Sequence, residues 1–296
     1  MSQIPRLLRA FGEPLLVEPR LGRALVQVFQ RKLTGEAFDG AALHAELGIE
    51  TAAQRDRNGA PTPGIAVIPV YGLIAEHPQS LGTSTDEIGA QVDAALASRA
   101  VSAILFDVDS PGGTVTGVPE LAAKILAARG QKPMLALSRS LMASAAYWIG
   151  AAADEIMVTP SGETGSIGVY TAHEDWSKAL EEEGVVLTPV SAGKYKLEGA
   201  PWAPLSEEAR AVLQARVDEV YGWFVKAVAQ GRATTPAAVR SGYGEGRALG
   251  AKQSIDAKLA DRIGTFDDAV ARLSAMAKRA GGASAARRAR ELALDS

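Results

Sequence analysis

From Ile65 onward the chain alternates short apolar runs with helix-period segments, and this alternation limits its possible folds more than any other feature. IAVIPVYGLI (65–74), interrupted by Pro69 and Gly72, reads as a buried strand. Ser84–Ser98 carries Ile88, Val92 and Leu96 four apart, the spacing of one helix face. VSAILFDVD (Val101–Asp109) reads as a strand, Val118–Ala128 as a helix and KPMLALS (Lys132–Ser138) as a strand again. Strand–helix–strand units this close together pack as α/β layers on a largely parallel sheet. Further on, EIMVTP (155–160) and VVLTPVS (185–191) read as strands, and His173–Gly184 as a surface helix with a solvated EEE run. Ser206–Gln230 reads as a long amphipathic helix with Ser206 as N-cap. GRALGAKQSIDAKLADRIG (246–264) reads as a polar turn, and a helix starts over Phe266–Met276.

A chain of 296 residues that is 47% hydrophobic can bury a sizeable core. Residues 1–60 read as a helical extension, with helical spacing over Arg6–Phe11, Leu21–Phe29 and Leu43–Gln54 and breaks at Pro14 and Pro19. It either packs on the main domain or serves assembly. The main domain is expected over 61–277. Residues 278–296 read as a basic, flexible tail with a helix break at Gly281–Gly282; from Ala271 on, six Arg or Lys face two Asp or Glu. The N-terminus lacks the apolar core of a signal peptide, and no run of eighteen apolar residues exists, so neither a leader nor a membrane anchor is expected. A net charge of -3 supplies no field for nucleic acid or an anionic membrane, and 5% aromatics argue against a base-stacking surface. The absence of cysteine excludes disulfides, thiolate catalysis and Cys-ligated metals. Asp256 and Asp261 lack metal-ligand spacing, so no metal or cofactor is expected.

The candidate chemistry centres on ALSRSLMASAAYWIGAAADEIMVTPSGETGSIG (136–168). Ser144 sits among Met142, Ala143, Ala145 and Ala146, at the front of a nearly uncharged, hence buried, helix over Leu141–Ala153. From pattern alone its hydroxyl is either a nucleophile or a buried group bonded to a local carbonyl. DSPGG (109–113) follows a strand, where ligands bind in α/β folds, and its glycines let backbone approach a ligand and hold an oxyanion. Its other reading is a plain strand-to-helix turn. The amide of Ala145 is a further donor candidate. A serine needs a base, and His44, His77 and His173 have no triad context. SAGKYK offers Lys194 and Lys196, which strand spacing places on one side with Tyr195 opposite. An amine serves as base only when neutral, and burial favours that form.

DSPGG, SAAYW with AAADEI, TGSIGV and SAGKYK, in this order, resemble the signal peptide peptidase A family of serine proteases (peptidase family S49), most closely its phage-type branch of capsid assembly or head maturation proteases. VIPVYGLI, PLSEEA and YGWFVKAVAQGR add to the likeness, which spans roughly Gly64–Thr265. The resemblance implies a ClpP/crotonase-like fold and a Ser–Lys dyad of Ser144 and Lys196. It also implies an oxyanion pocket shaped by Gly112 and Gly113, and a hydroxyl, Ser166, that supports the lysine. Its members form rings or domes with sites at subunit contacts, so nucleophile and base can come from different subunits. The implied partners are extended segments of scaffold or capsid proteins, with a small-residue preference beside the cut. The implied setting is the host cytoplasm or the procapsid.

The chain departs from the pattern at Asp109, where Asn is usual, at Ala145–Ala146 for Gly-Gly, and at Lys258–Leu259–Ala260–Asp261 for Gly-Leu-Val-Asp. Asp109 either opposes an oxyanion with its charge or caps the following amides. Three further readings belong to the same fold: a general or signal-peptide-degrading peptidase, a non-catalytic assembly protein, and an acyl-CoA enzyme that needs neither Ser144 nor Lys196.

Overall fold

The computed structural model describes residues 15–17, 64–77 and 82–294. The expected helices over 6–11, 21–29 and 43–54, and His44, lie outside the described residues.

The described chain runs β1 (Leu15–Val17), β2 (Ile65–Ala75), β3 (Gly82–Ser84), α1 (Thr85–Ala97), β4 (Ala103–Thr114), α2 (Val118–Ala127), β5 (Met134–Ala143) and α3 (Ala145–Gly150). There follow β6 (Glu155–Val158), β7 (Glu163–Gly165), α4 (Ser177–Glu182), α5 (Glu207–Gly231), α6 (Pro236–Gly242), β8 (Ala248–Gly250), α7 (Ala251–Asp256), β9 (Arg262–Ile263) and α8 (Phe266–Leu294). The sheet order is β3-β2-β4-β5-β6-β9, all parallel. This is the α/β class with successive βαβ units expected from the strand–helix rhythm.

Both faces of the sheet are covered, as parallel sheets require. Alternate residues of β4 separate the two cores. Ile104, Phe106 and Val108 join α1, α2, α3 and α5 on one face. Ala103 and Leu105 join Leu135, Leu137, Met157 and the α8 residues Ala269 and Leu273 on the other. Ser84 caps α1 in a reciprocal capping box with Glu87, and Ser206 caps α5 by accepting from the Ala209 N–H (3.1 Å).

Six expectations change. β4 runs through DSPGG to Thr114, so this motif is strand and not a turn after one. Pro111 is tolerated there because β5 has already left that side of β4. Residues 185–191 form no strand; Val186 and Val190 are 89% and 96% exposed, so their apolar pattern finds no sheet among the described residues. The surface helix over 173–184 shrinks to Ser177–Glu182. The turn over 246–264 holds β8, α7 and β9. α8 continues through Gly281–Gly282 without a break. In the N-terminal region, Leu15–Val17, between the two prolines read as breaks, is a strand paired with β4.

Candidate active site

The site is built by a change of partner along β5. Its first half, Leu135–Ser138, pairs with Glu155–Val158 of β6. Its second half, Leu141–Ala143, pairs instead with Glu163–Gly165 of β7. Against β4 the register runs Val108↔Ser138 and then Ser110↔Met142, so Arg139, Ser140 and Leu141 stand opposite Asp109 alone. That bulge swings the strand outward just before Ser144.

Charged groups grip the bulge. Asp107, 2% exposed on the α8 face of β4, accepts from Arg139 Nε at 2.8 Å and Nη2 at 3.2 Å, and from the Tyr71 hydroxyl of β2. Arg139 also lies 4.7 Å from the Phe266 ring centroid at the start of α8. Asp109 accepts from the Ser140 hydroxyl, and the Arg139 carbonyl accepts from Thr159 Oγ1. The Asp109 carboxylate is thus tied to the bulge. Motif reading missed Asp107, Arg139 and Tyr71; the signal was a lone Asp in an apolar strand run, which demands a partner.

Ser144 occupies the corner between β5 and α3 with φ 55° and ψ −117°. A side chain at this positive φ is strained, and such strain collects at working sites. Two backbone bonds hold the corner: the Ser144 N–H donates to Gly165 O (2.8 Å), and the Trp148 N–H donates to Ser144 O (2.9 Å). Ser144 is 1% exposed, and its Oγ has no hydrogen-bond partner among the described residues. The local-carbonyl reading of this hydroxyl therefore fails. The expected helix over 141–153 is shorter, because Leu141–Ala143 belongs to β5. Ala145 opens α3 and is fully buried.

Gly165 also brings the next residue, Ser166, to this corner. Ser166 is 4% exposed with φ 53°, and its N–H donates to Arg247 O. Farther from Ser144, the Tyr147 hydroxyl donates to Leu259 O (2.9 Å), and full burial drives its phenol far above the ordinary range. Asp261, in the segment that departs from the family pattern, accepts from the Ile156 N–H and from Arg232. Burial alone would raise its carboxyl, but these bonds outweigh burial and hold it below the ordinary range.

The glycines of DSPGG divide their work. Gly112 has φ 101°, and its N–H donates to Ser110 Oγ (3.1 Å), which itself donates to Gly72 O (2.6 Å). Gly113 lies against β2 so closely that a Cβ there would meet Ile74 O at 1.7 Å. β2 follows β4 to Gly113, whereas the last β5 partner is Ser110. The side of Gly112–Thr114 vacated by β5 is taken by β1, antiparallel, with Leu16 opposite Gly113.

The expected base makes no hydrogen bond to the serine. Lys196 lies in a run of turns over 194–199, is exposed, and donates through its backbone N–H to Gly193 O (3.2 Å). The segment is not extended, so the expected side-by-side placement of Lys194 and Lys196 fails; Lys194 folds back onto Tyr195 and toward Glu208. His77 contacts Asp86 and His173 contacts Ala203 O, both on the surface. Among the described residues no group of three His, Asp or Glu side chains could hold a metal, and no helix is long and apolar enough to cross a membrane.

The family model described as Peptidase family S49 matches residues 127–280, just over half of the chain and the stretch that holds Ser144, Ser166 and Lys196. The chain belongs to peptidase family S49. Over 88% of its length this S49 chain is 34% identical to capsid assembly protease C of Escherichia phage lambda, of which it spans 63%. It is 31% identical, also over 88% of its length, to the head-tail preconnector protein GP5 of Enterobacteria phage P21, of which it spans 55%. A solved ClpP1 variant from Listeria monocytogenes is similar at a TM-score of 0.43 and 13% identity, over 69% of this chain and 94% of that one, a partial likeness of fold alone.

Proposed function

We propose that this S49 chain is a serine endopeptidase that cuts extended segments of phage head proteins, with Ser144 as nucleophile and Lys196 as general base. The observation that carries this reading is Ser144 itself: a hydroxyl at a strained strand-to-helix corner, buried, with no partner among the described residues. Neutral Lys196 takes the Ser144 proton, and the alkoxide attacks a peptide carbonyl. The Gly113 amide, with that of Ala145 as second donor, holds the oxyanion. Protonated Lys196 then gives its proton to the leaving amine, and water frees the acyl group from Ser144. Ser166 lies one residue from the Gly165 carbonyl that fixes the Ser144 backbone, which suits it to hold the lysine amine in place. Scaffold or capsid proteins as substrates, and the procapsid or host cytoplasm as the setting, rest on the relatives' names.

The exposure of the lysine segment favours a site shared between copies. Val186, Leu187, Val190 and Tyr195 are 89%, 51%, 96% and 53% exposed in one chain, and Lys196 lies beside them. Docked on a second copy in a ring, the segment would bury its apolar residues and give Lys196 the desolvation that a neutral amine requires.

The test uses Ser144→Ala and Lys196→Ala, each with fluorescent casein and with a phage scaffold or major capsid protein, read by mass spectrometry. Both variants should lose cleavage, and a fluorophosphonate should label Ser144 in the wild type only. Mixed after dissociation and reassembly, the two inactive variants should regain about a quarter of wild-type activity, the chance that an intact serine meets an intact lysine across a ring contact. Wild-type rates in both single variants would refute the dyad. No recovery on mixing would place both residues in one chain.

A further inference from the structure

We propose that Leu15–Val17 is an intrachain occupant of the substrate edge, a strap that lies where an extended peptide must bind and competes with it. The inference rests on the reading of Ser144 as nucleophile, but its observations are separate. A β-strand offers two hydrogen-bonding edges. Along β4 one edge belongs to β2 as far as Gly113. The other belongs to β5 only as far as Ser110, where β5 bends away toward β7 and Ser144. The free stretch of that second edge, Gly112–Thr114, therefore faces the side on which β5 carries the serine. It holds the glycines that read as the oxyanion cradle.

An extended peptide needs such an edge. Its main chain supplies the affinity by strand addition, and no particular side chain is required. In this chain the edge is filled. Leu15, Leu16 and Val17 pair antiparallel with Thr114, Gly113 and Gly112. A peptide cannot pair with Gly112–Thr114 while β1 does, because each edge accepts one strand. The strap spans three residues, so its hold is modest and an incoming chain can displace it. It is covalently attached, so it acts at high effective concentration and raises the apparent KM without touching the chemical step. The ligand class of the edge is an extended main chain in antiparallel sense, with Gly113 opposite its middle residue.

The absence of cysteine from this sequence makes a clean test possible in the whole chain. Leu15→Cys with Thr114→Cys joins two directly opposed positions, whose Cα separation in an antiparallel pair, about 4.5–5.5 Å, suits a disulfide. Oxidised, this variant should lose cleavage of fluorescent casein; reductant should restore it. Leu16→Pro should loosen the strap. If β1 is seated nine-tenths of the time, the apparent KM should fall about tenfold while kcat stays unchanged. Circular dichroism and particle size confirm that both variants stay folded and assembled.

Full activity in the oxidised pair, with Ser144→Ala inactive, would overturn the strap and leave the serine reading standing. A fall in kcat for folded Leu16→Pro would make β1 part of the working site and would also overturn the strap. Casein cleavage that survives Ser144→Ala, or none in either wild type or Leu16→Pro, would overturn both readings.

Discussion

Ser144→Gly should make this protein inactive and more stable. Two costs sit at residue 144 in the native state. A non-glycine residue held at φ 55° and ψ −117° stores about 1–3 kcal/mol. A buried hydroxyl without a partner costs about 1–3 kcal/mol more. Glycine removes both and returns about 0.5–1 kcal/mol as extra freedom of the unfolded chain. The net gain is about 1–5 kcal/mol, with a central value of ~3 kcal/mol, or roughly 6–12 °C in Tm for a domain of this size. Ser144→Ala removes only the hydroxyl, so it should gain about half as much; the difference between the two variants isolates the backbone strain. Denaturant titration of wild type and both variants measures this, with the slope m checked for constancy. Equal stability of Ser144→Ala and Ser144→Gly would refute the strain. Both variants less stable than wild type would refute the whole account of the corner.

Gly113→Ala should be severe, because its Cβ would lie 1.7 Å from Ile74 O and 2.5 Å from Ile74 C, backbone atoms that cannot rotate away. Parting β2 from β4 there displaces the amide proposed to hold the oxyanion, and a misplacement of about 1 Å costs on the order of 100-fold in kcat; unchanged kcat on casein would refute this. Lys258→Gly should stabilise the fold, since Lys258 stands at φ 62° where the family pattern has glycine; a gain of about 1 kcal/mol is expected by denaturant titration. Asp261, with its carboxyl held below the ordinary range, contributes stability that is present above its unfolded pKa and lost as pH falls through the folded value. Tm should therefore drop below about pH 4, and the drop should be shallower in Asp261→Asn, as a calorimetric pH series would show.

Local pattern carried much of this protein. The near-continuous apolar run in Val101–Asp109 and the helical spacing in Ser84–Ser98 specified strand and helix, because a sheet buried on both faces and a helix buried on one leave different marks in sequence. The Ser206 cap was legible because capping is a contact across three residues. The departure at Lys258–Asp261 was legible as well, and its meaning became physical only when Lys258 proved to lie at positive φ with Asp261 bonded across the sheet to Ile156. The apolar run over 185–191 misled for a definite reason: its strand pattern finds no sheet among the described residues.

Sequence by itself determined the layered α/β class, the family, and the residue types on offer at the site: a serine among small neighbours, a glycine pair at the end of a strand, lysines in a loop. Tertiary structure decided the rest, because each remaining feature depends on residues far apart in the chain. The bulge that aims Ser144 exists because Asp107, Arg139 and Tyr71 come from three strands. The Gly112 amide is occupied because Ser110 can reach both it and Gly72. β1 lies on the substrate edge because β5 leaves that edge empty at Ser110. Backbone hydrogen bonding between distant strands carries no side-chain signature, so no reading of residue types could have placed Leu15–Val17 beside Gly113.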